Sequence, residues 1–282
     1  MPLHKACPSR SSFSKDRHSP HGGFHPFGGK LSRHFGESLS PDDAYLSYHD
    51  IRLTREDVTT IKNDWLTDNA IAFWEEYLER EKLISYPKAH IVLLRPSMSF
   101  LLMKTQDPLT LKTALPDFAQ TTHIFLPIND CYRVDVAEGG SHWSLLLVSI
   151  IDGVSFHYDS LYPNNMHEGQ LASHRFSQLL GRPLRFINLD DCPQQENGMD
   201  CGVYVCLIMQ YLLMNKLLRA HSGDKISMSM RGKEVDASGG RRAILRIIED
   251  RRVEGERRRS RRSRGKSKSR SPPRIGMENE DV

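Results

Sequence analysis

From Val203 to Leu218 the chain is apolar on nearly every side, interrupted by Gln210, Asn215 and Lys216. A helix of that composition has no polar face to show to water, so the rest of the fold must wrap it. It is also shorter than the ~20 residues a bilayer span needs, which favours a buried helix of a soluble protein. The stretch is entered through a polar loop, Gln195-Glu196-Asn197-Gly198-Met199-Asp200-Cys201-Gly202, in which Asp200 is a plausible N-cap. Cys201 therefore falls at a helix N-terminus, where unpaired backbone N–H groups and the helix dipole favour a thiolate.

Not all of the 282 residues can belong to such a core, because a hydrophobic share of 38% is low for a fully folded chain. Residues 257 to 274 hold ten Lys or Arg and no acid; with +4 overall, the remainder carries −6. Three segments are expected: a disordered tail 1–43, a folded domain 44–253 with its core in 44–220 and a last helix at about 241–253, and a disordered Arg/Ser-rich tail 254–282. In the first tail His18, His21 and His25 could bind metal, or the segment could be a presequence or plain solvated chain. The second tail could bind RNA or another anionic partner, act as a nuclear address, be phosphorylated, or only solubilise. Five cysteines in irregular spacing, without a CxxC pair, fit free thiols in a reducing compartment rather than disulfides or structural zinc. No cofactor and no metal is expected.

Order begins near Tyr45. Thr54 followed by Glu56 and Asp57 reads as a capped helical turn, and Ile71, Phe73, Trp74, Tyr77 and Leu78 mark an amphipathic helix beginning near Asp68 or Asn69. Ile91 to Leu94 and His123 to Ile128 read as buried strands, with a helix or loop from Pro96 to Phe118 between them. Trp143–Ile151 and Val154–Ser160 flank Asp152-Gly153, the dipeptide that favours a two-residue type I′ hairpin. That turn would set Asp159 opposite Leu146, four residues or roughly 13 Å from His142, so a local distortion near Ser141 is needed for the two to meet. A helix Leu171–Leu180 and a strand Leu184–Asn188 precede the polar loop.

Acyl transfer by cysteine needs a thiolate, a base, an acid that orients the base and donors for the oxyanion. Cys201, His142 and Asp159 are candidates for the first three; the Gln195 amide, with Gln194 as competitor, and the Cys201 N–H are candidates for the last. Cys131, Cys192 and Cys206 read as small buried hydrophobes.

Several motifs in one order then resemble the ubiquitin-like protein-specific cysteine proteases, which include SUMO proteases and deneddylases. Gly139-Gly140-Ser141-His142-Trp143-Ser144-Leu145 is similar to the histidine motif, and Tyr158-Asp159-Ser160 to the aspartate motif. Gln195 through Gly202 is similar to the Gln-x-Asn-Gly-x-Asp-Cys-Gly signature, and Trp65-Leu66-Thr67-Asp68 to an N-terminal Trp-Leu-Asn-Asp element, with Thr67 in place of Asn. The likeness implies an α+β, papain-like fold, a central antiparallel-rich sheet flanked by helices with the nucleophile at a helix N-terminus. It implies catalysis by Cys201, His142, Asp159 and Gln195, and a slot walled by Trp65 and Trp143, with Asp68 in polar contact with the modifier's extended Gly-Gly tail.

Tyr45-Leu46-Ser47-Tyr48-His49-Asp50, Ile128-Asn129-Asp130 and Gly139-Gly140 resemble the compact deneddylases, with the loop Asn129–Gly140 as modifier selector. The implied partners are a Nedd-type modifier and its conjugates, such as neddylated cullins. The implied protein is a monomer of the cytoplasm or nucleus with no membrane association. The alternatives are a SUMO protease, a catalytically silent modifier-binding module with a nucleic-acid-binding tail, and more remotely an acetyltransferase with the same residue order.

Overall fold

The computed structural model describes residues 40–133, 139–221, 223–262 and 272–276. The expected N-terminal tail up to residue 39, the middle of the expected selector loop (134–138) and most of the Arg/Ser run (263–271) lie outside the described residues. The architecture is α+β. A five-stranded sheet runs β3 (Ile91–Leu93), β4 (His123–Asn129), β5 (Trp143–Ser149), β6 (Val154–Tyr158), β7 (Arg185–Asn188). The inner pairs are antiparallel and the outer two parallel, so the sheet is evenly mixed rather than antiparallel-rich.

Strand β5 carries no polar alternation because both sheet faces are covered. Leu145 and Leu147 belong to the core shared with α2 (Asp68–Glu81) and α5 (Cys201–Tyr211). Leu146 and Val148 belong to the core shared with α3 (Pro96–Lys104) and α4 (Met166–Leu180). The apolar stretch first noted is α5, prolonged by a π turn Leu212–Lys216 and a 3-10 turn Leu217–Arg219. Those 19 residues are apolar and long enough to cross a membrane, yet Val203, Val205, Cys206, Met209 and Leu212 are all packed in the core. Trp74 of α2 is core as well, its Nε1 donating to Cys206 O at 2.9 Å.

The entry to α2 is built by capping. Thr54 caps α1 (Arg55–Asn63) in a reciprocal capping box with Asp57. Asp57 is buried, and its Oδ1 accepts from Thr67 Oγ1 at 2.6 Å. Thr67 is itself the N-cap of α2, accepting from Ala70 N. The residue that departs from the family's Asn thus supplies the cap, and Trp65-Leu66 is held between two fixed helix ends.

Two further expectations change. The β5–β6 hairpin pairs Ser149 with Val154, leaving a four-residue loop, Ile150–Gly153, instead of a two-residue type I′ turn. Only Gly153 of the Asp152-Gly153 pair has positive φ, and the Asp152 carboxylate binds Ser149 Oγ at 2.5 Å, a local bond that competes with the tight turn.

The C-terminal region is also more ordered than its composition suggests. Helix α6 runs Ala237–Arg262, past the expected end at 253, because Arg251, Arg252 and Arg258 meet Glu249, Glu254 and Glu256 three or four residues away. Beyond it, β8 (Arg274–Ile275) pairs parallel with β1 (Ala44–Tyr48), which pairs antiparallel with β2 (Ile51–Thr54). The side chain of Ile275 is buried there, which a purely basic tail could not achieve.

Candidate active site

Strand β5 delivers His142 from the residue before its first position, and β6 delivers Asp159 from the residue after its last. In the observed register Asp159 continues opposite Ser144, two residues from His142. His142 Nε2 lies 2.6 Å from Asp159 Oδ1, with both side chains buried. The backbone before His142 bends at Gly140, whose φ of +93° suits glycine and whose missing Cβ would meet Asn129 Oδ1 at 2.1 Å. Asp130 secures the bend: its carboxylate accepts from the N–H groups of Ser141 and His142 at 2.5 and 3.0 Å and from Ser141 Oγ at 2.6 Å.

Cys201 is the first residue of α5 and is only 1% exposed. The Cys201 thiol acts electrostatically on the His142 ring, whose Nε2 is taken by Asp159. Burial works against a charged imidazole, but the hydrogen bonds and charges of Asp159 and Cys201 outweigh it and raise the His142 pKa to about 9. Burial likewise opposes the Asp159 carboxylate. The bond from His142 and the N–H groups of Asn165 and Leu161, at 2.8 and 2.9 Å, nevertheless hold its pKa below the usual value. Burial pushes the Cys206 thiol well up and the Cys192 thiol up to about 12, which suits inert core residues.

Gln195 is anchored on both sides: Oε1 accepts from Ser160 Oγ at 2.7 Å, and Nε2 donates one hydrogen to Asn197 O at 2.6 Å, leaving the other. Its competitor is spent, since both Nε2 hydrogens of Gln194 go to the carbonyls of Asp159 and Cys192. Asp200 precedes α5 but makes no capping bond; its carboxylate binds Asn197 Nδ2 and Arg241 instead.

A cleft of about 380 Å³ opens onto the thiol, lined by Trp65, Leu66, Asp68, His142, Trp143 and Cys201 among others. Trp143 Nε1 donates to Leu66 O at 3.1 Å, tying the two walls together, while Trp65 stays 43% exposed at the rim. Gly202 allows the near wall its position, because a Cβ there would lie 2.7 Å from Leu66 Cβ. The cleft brings together five of the seven predicted residues, with Asp159 behind His142 and Gln195 off the lining.

Four supports carry no assigned role in the sequence: Asp130 and Ser160, which stand there only as motif members, and Arg241 and Asn165, which are not singled out. Asn165 is the N-cap residue of α4, and its Nδ2 reaches Ile128 O, His142 O and Ser144 Oγ at 3.2–3.4 Å. An Asn pair just ahead of a helical period was its one local signal. No metal-binding cluster of His, Cys, Asp or Glu occurs among the described residues.

A thiol, an imidazole and a carboxylate in line beside a narrow cleft on an α+β frame are the chemical outfit of a cysteine-type peptidase. Residues 64–237 match the C-terminal catalytic domain of the Ulp1 protease family, and the chain belongs to that family. It is 35% identical over 209 residues to NEDD8-specific protease 2 of Schizosaccharomyces pombe, covering 72% of this chain and 50% of that protein. It is 31% identical over 180 residues to human sentrin-specific protease 8, covering 62% of this chain and 83% of that protein. The chain thus spans half the length of the fission-yeast relative. The fold is that of the C-terminal Ulp1 protease domain solved in complex with Smt3, the yeast ortholog of SUMO, with TM-score 0.53, 21% identity, and coverage of 73% of this chain and 86% of that one.

Proposed function

We propose that this protein is a papain-like thiol protease that cleaves after the C-terminal Gly-Gly of a ubiquitin-like modifier, removing a Nedd-type modifier from lysines. The observation that carries the reading is the line Cys201–His142–Asp159 ending in a cleft walled by Trp65 and Trp143. The Cys201 thiolate attacks the terminal glycine carbonyl while the charged His142 ring serves as its counter-ion. The Cys201 N–H and the remaining Gln195 Nε2 hydrogen stabilise the oxyanion. His142 then protonates the departing lysine amine, and as neutral base it activates the water that hydrolyses the thioester. The tryptophan-walled slot favours residues without Cβ, and Asp68, half-buried at the start of α2, offers a carboxylate to the extended tail. The choice of a Nedd-type modifier is supported by the names of the fission-yeast and human relatives. The exposed arginines at the end of α6 are the surface we assign to an anionic partner.

The test compares C-terminal fluorogenic derivatives of Nedd-type modifier, SUMO and ubiquitin. The Nedd-type derivative should be cleaved fastest. Cys201→Ala should abolish cleavage while retaining modifier binding, and Cys206→Ala should keep turnover near wild type. Faster cleavage of the SUMO derivative would move the assignment to a SUMO protease. Binding without turnover by the wild type would leave a silent modifier-binding module.

A further inference from the structure

We propose that Arg241 is a positioning residue for Cys201, holding the nucleophile loop at a set distance from the wall of the cleft. Arg241 lies on α6, beyond the segment 64–237 that matches the family's catalytic domain, and is 7% exposed. Its planar fork serves two neighbours at once. On one edge Nε donates to Asp200 Oδ1 at 2.9 Å, and Nη2, 2.8 Å from the same oxygen, donates to Met199 O at 2.9 Å. On the other edge Nη1 donates to Ile61 O at 2.9 Å and Thr60 O at 3.3 Å, carbonyls at the C-terminal end of α1. Met199 and Asp200 lead directly into Cys201, and α1 leads directly into Asp64-Trp65-Leu66. One guanidinium therefore sets the spacing between the nucleophile and its wall.

The connection continues to the oxyanion side. Asp200 Oδ2 accepts from Asn197 Nδ2 at 2.8 Å, and Asn197 O accepts from Gln195 Nε2. Asp200 is thereby diverted from the capping role its position suggests. The neighbouring Gly240 makes the contact possible, since a Cβ there would lie 3.1 Å from Val203 Cγ1 and 2.6 Å from Leu207 Cδ1 on α5. A lysine has one ammonium and cannot span both edges of this arrangement.

The inference rests on Cys201 being the nucleophile, so its test uses the full chain with two independent readouts. Arg241→Lys and Arg241→Met are compared with wild type for kcat and KM on the fluorogenic modifier and for alkylation of Cys201 by chloroacetamide. All rates are normalised to the folded fraction from thermal melts. Both kcat and the alkylation rate should fall by more than about tenfold with KM within about twofold, and Arg241→Lys should recover little of the loss. Wild-type rates in Arg241→Lys, or losses matching the unfolded fraction alone, would overturn the proposal; Arg241→Lys decides the matter even if Arg241→Met does not fold. Alkylation needs no modifier, so a wild-type protein that cleaves none of the modifiers would sink the functional reading while leaving this one measurable.

Discussion

Replacing Asp159 by Asn removes one charge from behind His142 and nothing of comparable size. The rise of the His142 pKa from 6.5 to about 9 is worth about 3 kcal/mol of preference for the charged ring, at about 1.4 kcal/mol per pH unit. The hydrogen bond that His142 donates to Asp159 is the largest contribution raising it, and the charge of Asp159 adds to it, so at least half of the preference depends on this residue. Geometry makes the loss worse. If the Asn oxygen accepts from His142 Nε2, its amide faces the donating N–H of Asn165; if it flips, it donates to Nε2 and forces the proton onto Nδ1. Either orientation weakens the Cys201–His142 pair by about 2 kcal/mol, or ~30-fold in kcat, with KM little changed.

The assay is turnover of the fluorogenic modifier against pH. In the wild type the alkaline limb should follow loss of the His142 proton near pH 9, and in Asp159→Asn it should move toward 6.5. The stability contribution has a definite sign: because the folded value is raised, it is fully present below 6.5 and is lost as pH rises through about 9. Melting temperature in the wild type should fall across that window, and in the variant the fall should flatten. A variant with kcat within about threefold of wild type and an unmoved alkaline limb would refute the reasoning.

The remaining predictions concern the wall and the core. Gly202→Ala places a Cβ against Leu66 and should cost about 1–3 kcal/mol of stability by overpacking. It should also lower kcat, as Leu66 O shifts under Trp143; a wild-type melting temperature and kcat together would contradict the packing seen here. Glu75 is fully buried, and neither carboxylate oxygen has a hydrogen-bond partner among the described residues. Burial raises its pKa well above the usual 4.5, so the folded state holds a proton that the unfolded chain gives up and stability falls as pH rises past 4.5. Glu75→Gln should therefore melt higher than wild type at neutral pH and show no such gain at pH 4; equal melting at both pH values would exclude this.

What was legible in the sequence was what local chemistry encodes. The Thr54 cap, the start of α2 at Asp68 and the cysteine at the mouth of α5 all follow from neighbours a few residues apart. Illegible were features decided by distant partners. The parallel strands β3 and β7 depend on pairing with β4 and β6, and three-residue Ile91–Leu93 carries no sign of which neighbour it will take. Asp200 has the residue type and place of an N-cap, yet an arginine 41 positions later claims it. The Arg-rich end of α6 reads as unfolded by composition, while its acids at helical spacing keep it wound and β8 ties the chain back to β1.

The hairpin shows how a loop remote from the chemistry can decide it. With a two-residue turn, His142 and Asp159 would start roughly 13 Å apart along the strand and the backbone would have to fold sharply back. The four-residue loop Ile150–Gly153 shifts the register by two and keeps every side chain on its face, because the side-chain period of a strand is two. Leu145 and Leu147 therefore stay in their core while the offset shrinks to roughly 7 Å, within reach of an imidazole once Gly140 turns the chain. The distortion at the site is modest because the larger adjustment is made at the far end of β5 and β6, where Asp152 binds Ser149. Register and bend act on different ends of one strand, and both are required to bring Nε2 within 2.6 Å of the carboxylate.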